Sequence, residues 1–297
     1  MDKTDIKILS ALLNDCRMSN NKISQMVGIS SAAVATRIEK MLQSKIIKKF
    51  SLSIEPLVFG HNIVYFVTVG QDWKSILKKL ELIGKPYFVV PCIGGLTICS
   101  ILTNENISKV TTIAKKLLAD IRILNIFEAP SFDINQVLTK TDLKILQILL
   151  EEPRAQIDYL AEKTGYSTKT VSRSLEKLRN NDIIHFTLDY DPSKLKNFIS
   201  FAVLVYSKND VKKTAINVEN KLGNWYLQKP WLSKSQFVLF FYSDNIYKLD
   251  EITDIIRNTD GVEATDLFIP KSASFPQEWV RKGIENTLKS PKLHISN

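Results

Sequence analysis

An internal repeat constrains the fold of this chain more than any other feature of its sequence. Residues 4–47 align without a gap on residues 141–184, at an offset of 137 (141 − 4), with 15 identical pairs spread along the segment. After a one-residue deletion, FSLSIEP (50–56) matches FTLDYDP (186–192). The period is too long for a solenoid, so the repeat predicts a duplicated unit that holds more than one domain.

Each copy opens with three predicted helical segments. In the first copy, apolar residues recur at spacings of three and four from Ile6 to Leu13, Ser19 and Ser30 are expected N-caps, and Gly28 is expected to end the second helix. The second copy repeats this design with Leu143, Leu146, Leu150, Gly165 and Ser167. A short helix, a tight turn with glycine and a longer helix predict a helix-turn-helix. The strand-like FSLSI and FTLDY that follow predict a wing.

A different periodicity follows each helix-turn-helix. Segments rich in β-branched and aromatic residues predict strands, and amphipathic stretches predict helices. In the first copy these are 62–69, helix 73–83, 87–90, 96–102, helix 107–118 and 121–128; in the second, 198–206, helix 211–222, 225–228, 236–242, helix 246–257 and 262–269. The order βαββαβ predicts two ferredoxin-like domains, and with the heads an α+β fold. One face of each sheet then needs cover, which a second such sheet supplies within the chain or from another chain.

Composition narrows the classes of protein that fit. The apolar fraction of 44% supports packed cores, and a net charge of +9 suits a polyanionic partner. No apolar run is long enough for a membrane span and no signal peptide is recognisable, so we expect a cytoplasmic protein with no membrane partner. Cys16, Cys92 and Cys99 form no C-x-x-C pair, and the histidines are scattered, so no metal site is predicted.

The opening of the chain resembles the Lrp/AsnC family of transcriptional regulators. The resemblance rests on Asp2, Asp5, Ile8-Leu9, Arg17-Met-Ser-Asn20, Val27-Gly-Ile-Ser30, Val34, Arg37-Ile38 and Ile46-Ile47. It covers both copies, about 1–130 and 139–270, and is weaker in the second helix-turn-helix. It implies a regulator that binds double-stranded DNA, without catalytic residues or cofactor. The implied segments are winged helix-turn-helix domains at 1–55 and 139–191, βαββαβ domains at 60–130 and 197–270, and a C-terminal extension at 271–297. Ala129–Leu138, with Pro130, is expected to link the copies.

The resemblance also implies a small-molecule effector, such as an amino acid, at an interface between two βαββαβ domains. The family marks that site with a glycine followed closely by an aspartate in a β-hairpin. Here Gly94 and Gly95 supply the glycines without the acid, and 232–236 (LSKSQ) supplies neither. Gly94 and Gly95 are therefore a candidate effector loop, with an ordinary hairpin turn as the alternative.

The DNA-contacting residues are predicted from the third helix of each copy. If Val34, Ile38 and Met41 face the core, the opposite face and its flanks point outward. The predicted contacts are Ser31, Ala32, Thr36, Arg37 and Lys40, then Lys48 and Lys49 where the wing begins, and Thr168, Lys169, Ser172, Arg173 and Lys177 in the second copy. Lys169 and Arg173 suit guanine edges or phosphates, while any single lysine here is also compatible with an ordinary solvated surface.

Two other functions share this architecture. Siroheme decarboxylases are enzymes built on the same two-domain plan, but such chemistry needs paired acid–base groups, and His61 and His185 do not look like a cluster. A second alternative is an assembly or sensor protein in which the helix-turn-helix units serve only as packing modules. Separately, the second copy could be a degraded one that is kept for dimerisation. The basic face of the second copy argues against the degraded copy, whereas mutation of Lys169 and Arg173 to alanine would distinguish the assembly protein.

Overall fold

The computed structural model describes residues 1–70, 72–129, 137–222, 226–233 and 235–289. Three sequence predictions lie partly outside these ranges: the linker at Pro130, the strand start at Trp225 and the polar end after residue 289. The predicted α+β class is confirmed. None of the described helices combines the length and apolar character that crossing a bilayer requires.

The two copies contain the same kinds of elements in the same order. The first copy consists of α1 (Lys3–Asn14), α2 (Asn20–Val27), α3 (Ser31–Gln43), β1 (Ile47–Ile54), β2 (Asn62–Val69), α4 (Trp73–Leu80), β3 (Lys85–Pro91), β4 (Leu96–Thr103), α5 (Ile107–Leu117) and β5 (Arg122–Glu128). The second consists of α6 (Lys140–Glu151), α7 (Ile157–Thr164), α8 (Thr168–Asn180), β6 (Ile184–Tyr190), β7 (Ile199–Ser207), α9 (Val211–Leu222), β8 (Tyr226–Leu232), β9 (Gln236–Ser243), α10 (Tyr247–Arg257) and β10 (Val262–Phe268), followed by α11 (Glu278–Lys289).

The helix-turn-helix of the first copy, α1–α3, is called the first head. Ser19 and Ser30 cap α2 and α3, and Gly28 ends α2 at φ 73°, as predicted. Asp2 caps α1 reciprocally with Asp5: each carboxylate accepts the other residue's backbone N–H at 2.9 Å. These local contacts fix where each helix begins and ends.

The second head, α6–α8, is built from equivalent residues. Thr139 and Asp142 form the capping box of α6, Gly165 ends α7 at φ 74°, and Ser167 caps α8 by accepting the N–H of Thr170 at 3.2 Å. Because the glycines occupy the left-handed region, both heads turn sharply between their second and third helices.

Each copy also forms a four-stranded antiparallel sheet. The strand orders are β3-β4-β2-β5 in sheet 1 and β10-β7-β9-β8 in sheet 2, which is the ferredoxin-like arrangement. In sheet 1, α4 and α5 cover one face through buried contacts between Phe66, Ile76 and Val110. The helices leave the opposite face of sheet 1 uncovered.

The free faces of the two sheets pack against each other within the chain. Val67 and Cys92 of the first copy are buried with Leu204 and Phe268 of the second. Tyr206 adds a polar link, because its hydroxyl accepts from Asn125 Nδ2 at 3.2 Å and donates to Asp266 at 2.9 Å. Of the two pairings that the sequence left open, the intrachain one is therefore present.

The two strands predicted as wings, β1 and β6, each follow the third helix of their head. Strand β1 pairs with β6 in a two-stranded antiparallel sheet of their own, here called the inter-copy ladder. Ser51 pairs with Thr187, its own counterpart in the repeat, flanked by the pairs Phe50–Leu188 and Leu52–Phe186. A strand needs a hydrogen-bonded neighbour, and the other copy supplies it. Self-pairing of equivalent positions gives the ladder an approximate two-fold axis.

Each head packs against the domain of the other copy. The core of the first head includes Leu188, Leu195 and Leu227, and Ser10 Oγ donates to the carbonyl of Leu227 at 2.8 Å. The core of the second head includes Leu52, Ile54 and Ile63 from the first copy, together with Trp279 of α11. Both heads are thereby held by buried apolar contacts on a common scaffold.

A reciprocal pair of arginine–aromatic contacts follows the same symmetry. Arg17 lies 5.0 Å from the ring centre of Phe186, and its counterpart Arg154 lies 4.7 Å from that of Phe50. Arg17 also donates to the carbonyl of Pro153 at 2.8 Å. The identity of Arg17 and Arg154 in the repeat therefore reflects an inter-copy contact.

Candidate nucleic-acid interface

Helix α3 presents a small, nearly neutral outer face. Val34, Ile38 and Met41 are buried, as predicted, which turns the opposite side of the helix outward. That side carries Ala32, Ala35, Thr36, Glu39 and Lys40, all exposed, with Ser31 half-buried beside them. The Thr36 hydroxyl donates to the backbone carbonyl of Ala32 at 3.1 Å. The methyl group of Thr36 is therefore the part of the side chain that is more available to a binding partner.

Arg37, a predicted DNA contact, forms hydrogen bonds inside the first head. Its guanidinium donates to Asp5 at 2.6 Å and to Asp2 at 2.8 Å. The hydrogen bonds to Asp5 and then Asp2 raise the pKa of Arg37. The arginine therefore ties α3 to the start of α1. Asp2 and Asp5, at spacing three before an apolar run, were visible in the sequence, but their partner 32 residues later was not.

Helix α8 presents a polar and positively charged outer face. Val171, Leu175 and Leu178 are buried, and Thr168, Lys169 and Arg173 are exposed. Ser172 is half-buried, and its hydroxyl lies 3.3 Å from Glu176 Oε1. Within the described part of the chain, neither Lys169 nor Arg173 has an ion pair or a side-chain hydrogen bond. Both cations are thus available to a partner.

Lys177, also a predicted DNA contact, is paired with a buried carboxylate. Its ammonium donates to Asp142, which is 1% exposed and also accepts from Ser174 Oγ at 2.5 Å. Burial, the largest influence, raises the pKa of Asp142, but the hydrogen bonds from Lys177, Ser174 and Thr139 outweigh it and lower that pKa. Lys177 therefore holds α8 to α6, as Arg37 holds α3 to α1.

Lys48 and Lys49 lie on the inter-copy ladder, at the start of the strand that was predicted as a wing. Lys48 is exposed and has no ion pair in the described ranges. Lys49 Nζ lies 3.5 Å from Asp189 Oδ2 and 3.5 Å from Gln277 Oε1. Lys49 thus contacts both the second copy and the residue before α11.

An arginine cluster between the heads was missed by the sequence analysis. Arg17 and Arg179 each lie 5.0 Å from the ring centre of Phe186, and Arg179 pairs with Asp15 at 2.7 Å. Burial and then the charge of Arg179 lower the pKa of Arg17. Only the identity of Arg17 and Arg154 in the repeat could have indicated this cluster.

The Gly94-Gly95 hairpin borders a cavity of about 620 Å³. Both glycines have positive φ, 85° and 84°, and Cys92 donates its N–H to the carbonyl of Leu96 at 2.7 Å, so the predicted turn is present. The cavity is also lined by Gly70 and Trp73 of the first copy and by Lys271 and Ser272 after β10. It is therefore formed by both copies.

The two histidines considered for catalysis lie on different elements. His61 follows the turn before β2, with Nδ1 against Asn104 and Nε2 3.4 Å from Lys85 Nζ, whereas His185 lies on β6. Burial is the main cause that lowers the pKa of His61. In the described ranges no three His, Cys, Asp or Glu side chains are arranged to hold a metal ion. The three cysteines are buried free thiols.

Comparisons with known proteins agree with these heads. An AsnC-type helix-turn-helix domain model matches residues 1–42, and a winged helix-turn-helix DNA-binding model matches residues 138–185. A solved structure, the siroheme decarboxylase NirDL, covers 97% of this chain and 100% of its own, with 11% identity and a TM-score of 0.49. A likeness at that level does not bear on activity.

The relatives in sequence are transcriptional regulators. An HTH-type regulator of Pyrococcus furiosus is 36% identical over 81 residues, 27% of this chain and 55% of its own; the chain spans about half the length of several such relatives. The HTH-type transcriptional regulator LysM of Sulfurisphaera tokodaii is 33% identical over 125 residues, 42% of this chain and 86% of its own. The chain therefore belongs to the Lrp/AsnC family of transcriptional regulators, with the family's architecture duplicated in one polypeptide.

Proposed function

We propose that this chain is a sequence-specific, DNA-binding transcription regulator that acts by binding and not by catalysis. The observation that carries the proposal is the outer face of α8, where Lys169 and Arg173 are exposed and unpaired within the described residues. The third helix of a helix-turn-helix enters the major groove, and an arginine on its outer face can contact guanine with two parallel hydrogen bonds. Thr168 and Ser172 flank these cations with hydroxyl groups.

The scaffold supports this function by fixing the two heads relative to one another. The inter-copy ladder, the packed sheets and the exchange of head cores tie both heads to one body. A two-fold relation between heads is the geometry that lets two recognition helices face successive turns of one duplex. Lys40 and Lys48, exposed and unpaired in the described ranges, are proposed phosphate contacts beside the heads.

The proposal is tested by measuring duplex affinity against salt for the full chain. Phosphate contacts make log affinity fall linearly with log salt, by about 0.9 for each phosphate neutralised. The double variant Lys169→Ala/Arg173→Ala should weaken binding and flatten this slope. Lys115→Ala/Lys116→Ala removes the same charge from the exposed side of α5 and should leave both unchanged. No duplex binding by the unmodified chain at low salt would refute the proposal.

We also propose that the cavity beside Gly94 and Gly95 holds a small-molecule effector such as an amino acid. Its volume of about 620 Å³ lies within the range of small-ligand sites. Because both copies line it, a ligand there would bridge the first domain and the segment after β10. Thermal-shift screening with an amino-acid panel should find a stabilising compound whose effect is lost in Trp73→Ala. A panel without any stabilising compound would argue against it.

A further inference from the structure

The two heads of this chain are related by symmetry but differ in what their outer faces offer to DNA. At the offset of 137, Lys169 replaces Ala32 and Arg173 replaces Thr36. All four positions are exposed on the outward side of the third helix. The difference between the heads is therefore concentrated at two equivalent positions that face a partner.

The remaining cations of both third helices do not remove this difference. Arg37 is held by Asp2 and Asp5, and Lys177 is held by Asp142. Both pairs join the third helix to the first helix of the same head. Arg179 is paired with Asp15, and Lys40, exposed and unpaired in the described ranges, follows the exposed carboxylate of Glu39. What is left on the outer face is small and nearly neutral in α3 and basic in α8.

From this asymmetry, and resting on the proposed DNA-binding function, we infer that the chain recognises a non-palindromic site with two unlike halves. The half bound by the second head contains guanine, whose O6 and N7 accept from Arg173 or Lys169. The half bound by the first head is rich in A·T pairs, because Ala32, Ala35 and the methyl group of Thr36 suit contact with thymine methyl groups.

The fold makes this asymmetry a fixed property of each molecule. In a dimer of identical chains both heads carry the same residues, and a palindrome is the matching site. Here the ladder pairs β1 with β6 of the same chain, and the sheets pair within that chain as well. Every molecule therefore presents one head of each kind at a constant separation.

The experiment is selection of bound duplexes from a random library by the full chain, followed by affinity measurements on the selected site. We expect two unlike half-sites about one helical turn apart, one of them with guanine. Arg173→Ala should relax selection at the guanine positions and weaken binding to that half by about tenfold to a hundredfold. It should leave selection at the other half as it was.

A gain-of-function variant makes the test independent of lost binding. Ala32→Lys/Thr36→Arg gives the first head the outer face of the second and should convert the selected site toward two guanine-bearing halves. Lys115→Ala/Lys116→Ala is the control and should select the same site as the unmodified chain. Circular dichroism confirms that each variant is folded.

The outcomes separate this inference from the proposed function. Selection of a palindrome, or loss of preference in both halves of the site in Arg173→Ala, would overturn the inference alone. Duplex binding without sequence preference would overturn both the inference and the sequence-specific function. Absence of duplex binding by the unmodified chain at low salt would overturn both.

Discussion

Replacement of Asp142 by alanine should destabilise the second head more than any equivalent change in the first. Asp142 is 1% exposed and accepts from the backbone N–H of Thr139 at 2.8 Å, from Ser174 Oγ at 2.5 Å and from Lys177. Loss of the capping contact costs about 1 kcal/mol. The buried hydroxyl of Ser174 then lacks a charged acceptor, which costs about 1.5–3 kcal/mol. Lys177 is partly exposed, so water can solvate its ammonium group and we add no cost for it. The expected loss in the free energy of unfolding is therefore about 3 kcal/mol.

Asp5→Ala is the matched control, because Asp5 is the counterpart of Asp142 in the first head. The side chain of Asp5 is 16% exposed, and Arg37, its partner, is half-buried. Removal of its capping bond costs about 1 kcal/mol, and removal of a pair near the surface adds less than about 1 kcal/mol. We therefore expect a loss clearly smaller than that of Asp142→Ala.

The assay is urea unfolding followed by circular dichroism and tryptophan fluorescence, with the free energy of unfolding compared between variants. Because the pKa of Asp142 is lowered in the folded chain, its contribution is present above the unfolded pKa of about 3.9 and is lost as the pH falls through the folded value. The difference between wild type and Asp142→Asn should therefore narrow below about pH 3.9. A loss below about 1 kcal/mol in Asp142→Ala, or equal losses in both heads, would refute this reasoning.

Three further predictions concern the first domain and the contact between sheets. Gly84→Ala should lower the free energy of unfolding by about 1–3 kcal/mol, because its Cβ would lie 2.6 Å from the carbonyl oxygen of Leu102; thermal unfolding measures this. The lowered pKa of His61 means that stability is full above the unfolded pKa of about 6.5 and falls below it, so His61→Gln should flatten stability against pH between 7.5 and 5. Tyr206→Phe should cost about 1 kcal/mol, because Asn125 loses its hydroxyl acceptor; chemical unfolding measures this.

Each of these three predictions has an outcome that contradicts it. An unchanged melting temperature for Gly84→Ala would mean that the backbone carbonyl of Leu102 can move away from the new Cβ without loss of stability. If His61→Gln has the same pH dependence of stability as the wild type, groups other than His61 cause that dependence. Tyr206→Phe at wild-type stability would show that the polar link between the sheets adds no net free energy.

The helix ends and strand bounds of both copies could be predicted because they depend on residues that are close in sequence. Ser19, Gly28 and Ser30 specify caps and a turn through their own backbone contacts, and the structure places them as expected. Strand β2 begins and ends at the predicted residues, as does helix α9. Apolar spacing in α3 and α8 also predicted which faces are buried.

The partners of these elements could not be predicted in the same way. Whether β1 forms a hairpin or pairs with β6 depends on a strand more than 130 residues away, and both options have the same pattern of side chains. Arg37 and Lys177 were assigned to DNA because a cation on a third helix looks the same with or without an internal carboxylate partner. Arg37 and Lys177 are half-buried, whereas Lys169 and Arg173 are exposed. The exposure of a side chain depends on the whole fold, so the sequence pattern alone did not reveal this difference.

The inter-copy ladder has a consequence for how this protein behaves on dilution. In a regulator made of two chains, the paired heads separate once the concentration falls below the dissociation constant of the dimer. Here β1 and β6 belong to one polypeptide, so their pairing is intramolecular and does not depend on the concentration of the protein. The two heads therefore stay paired in a cell that holds only a few copies, and occupancy of one site by one chain should follow a simple hyperbola.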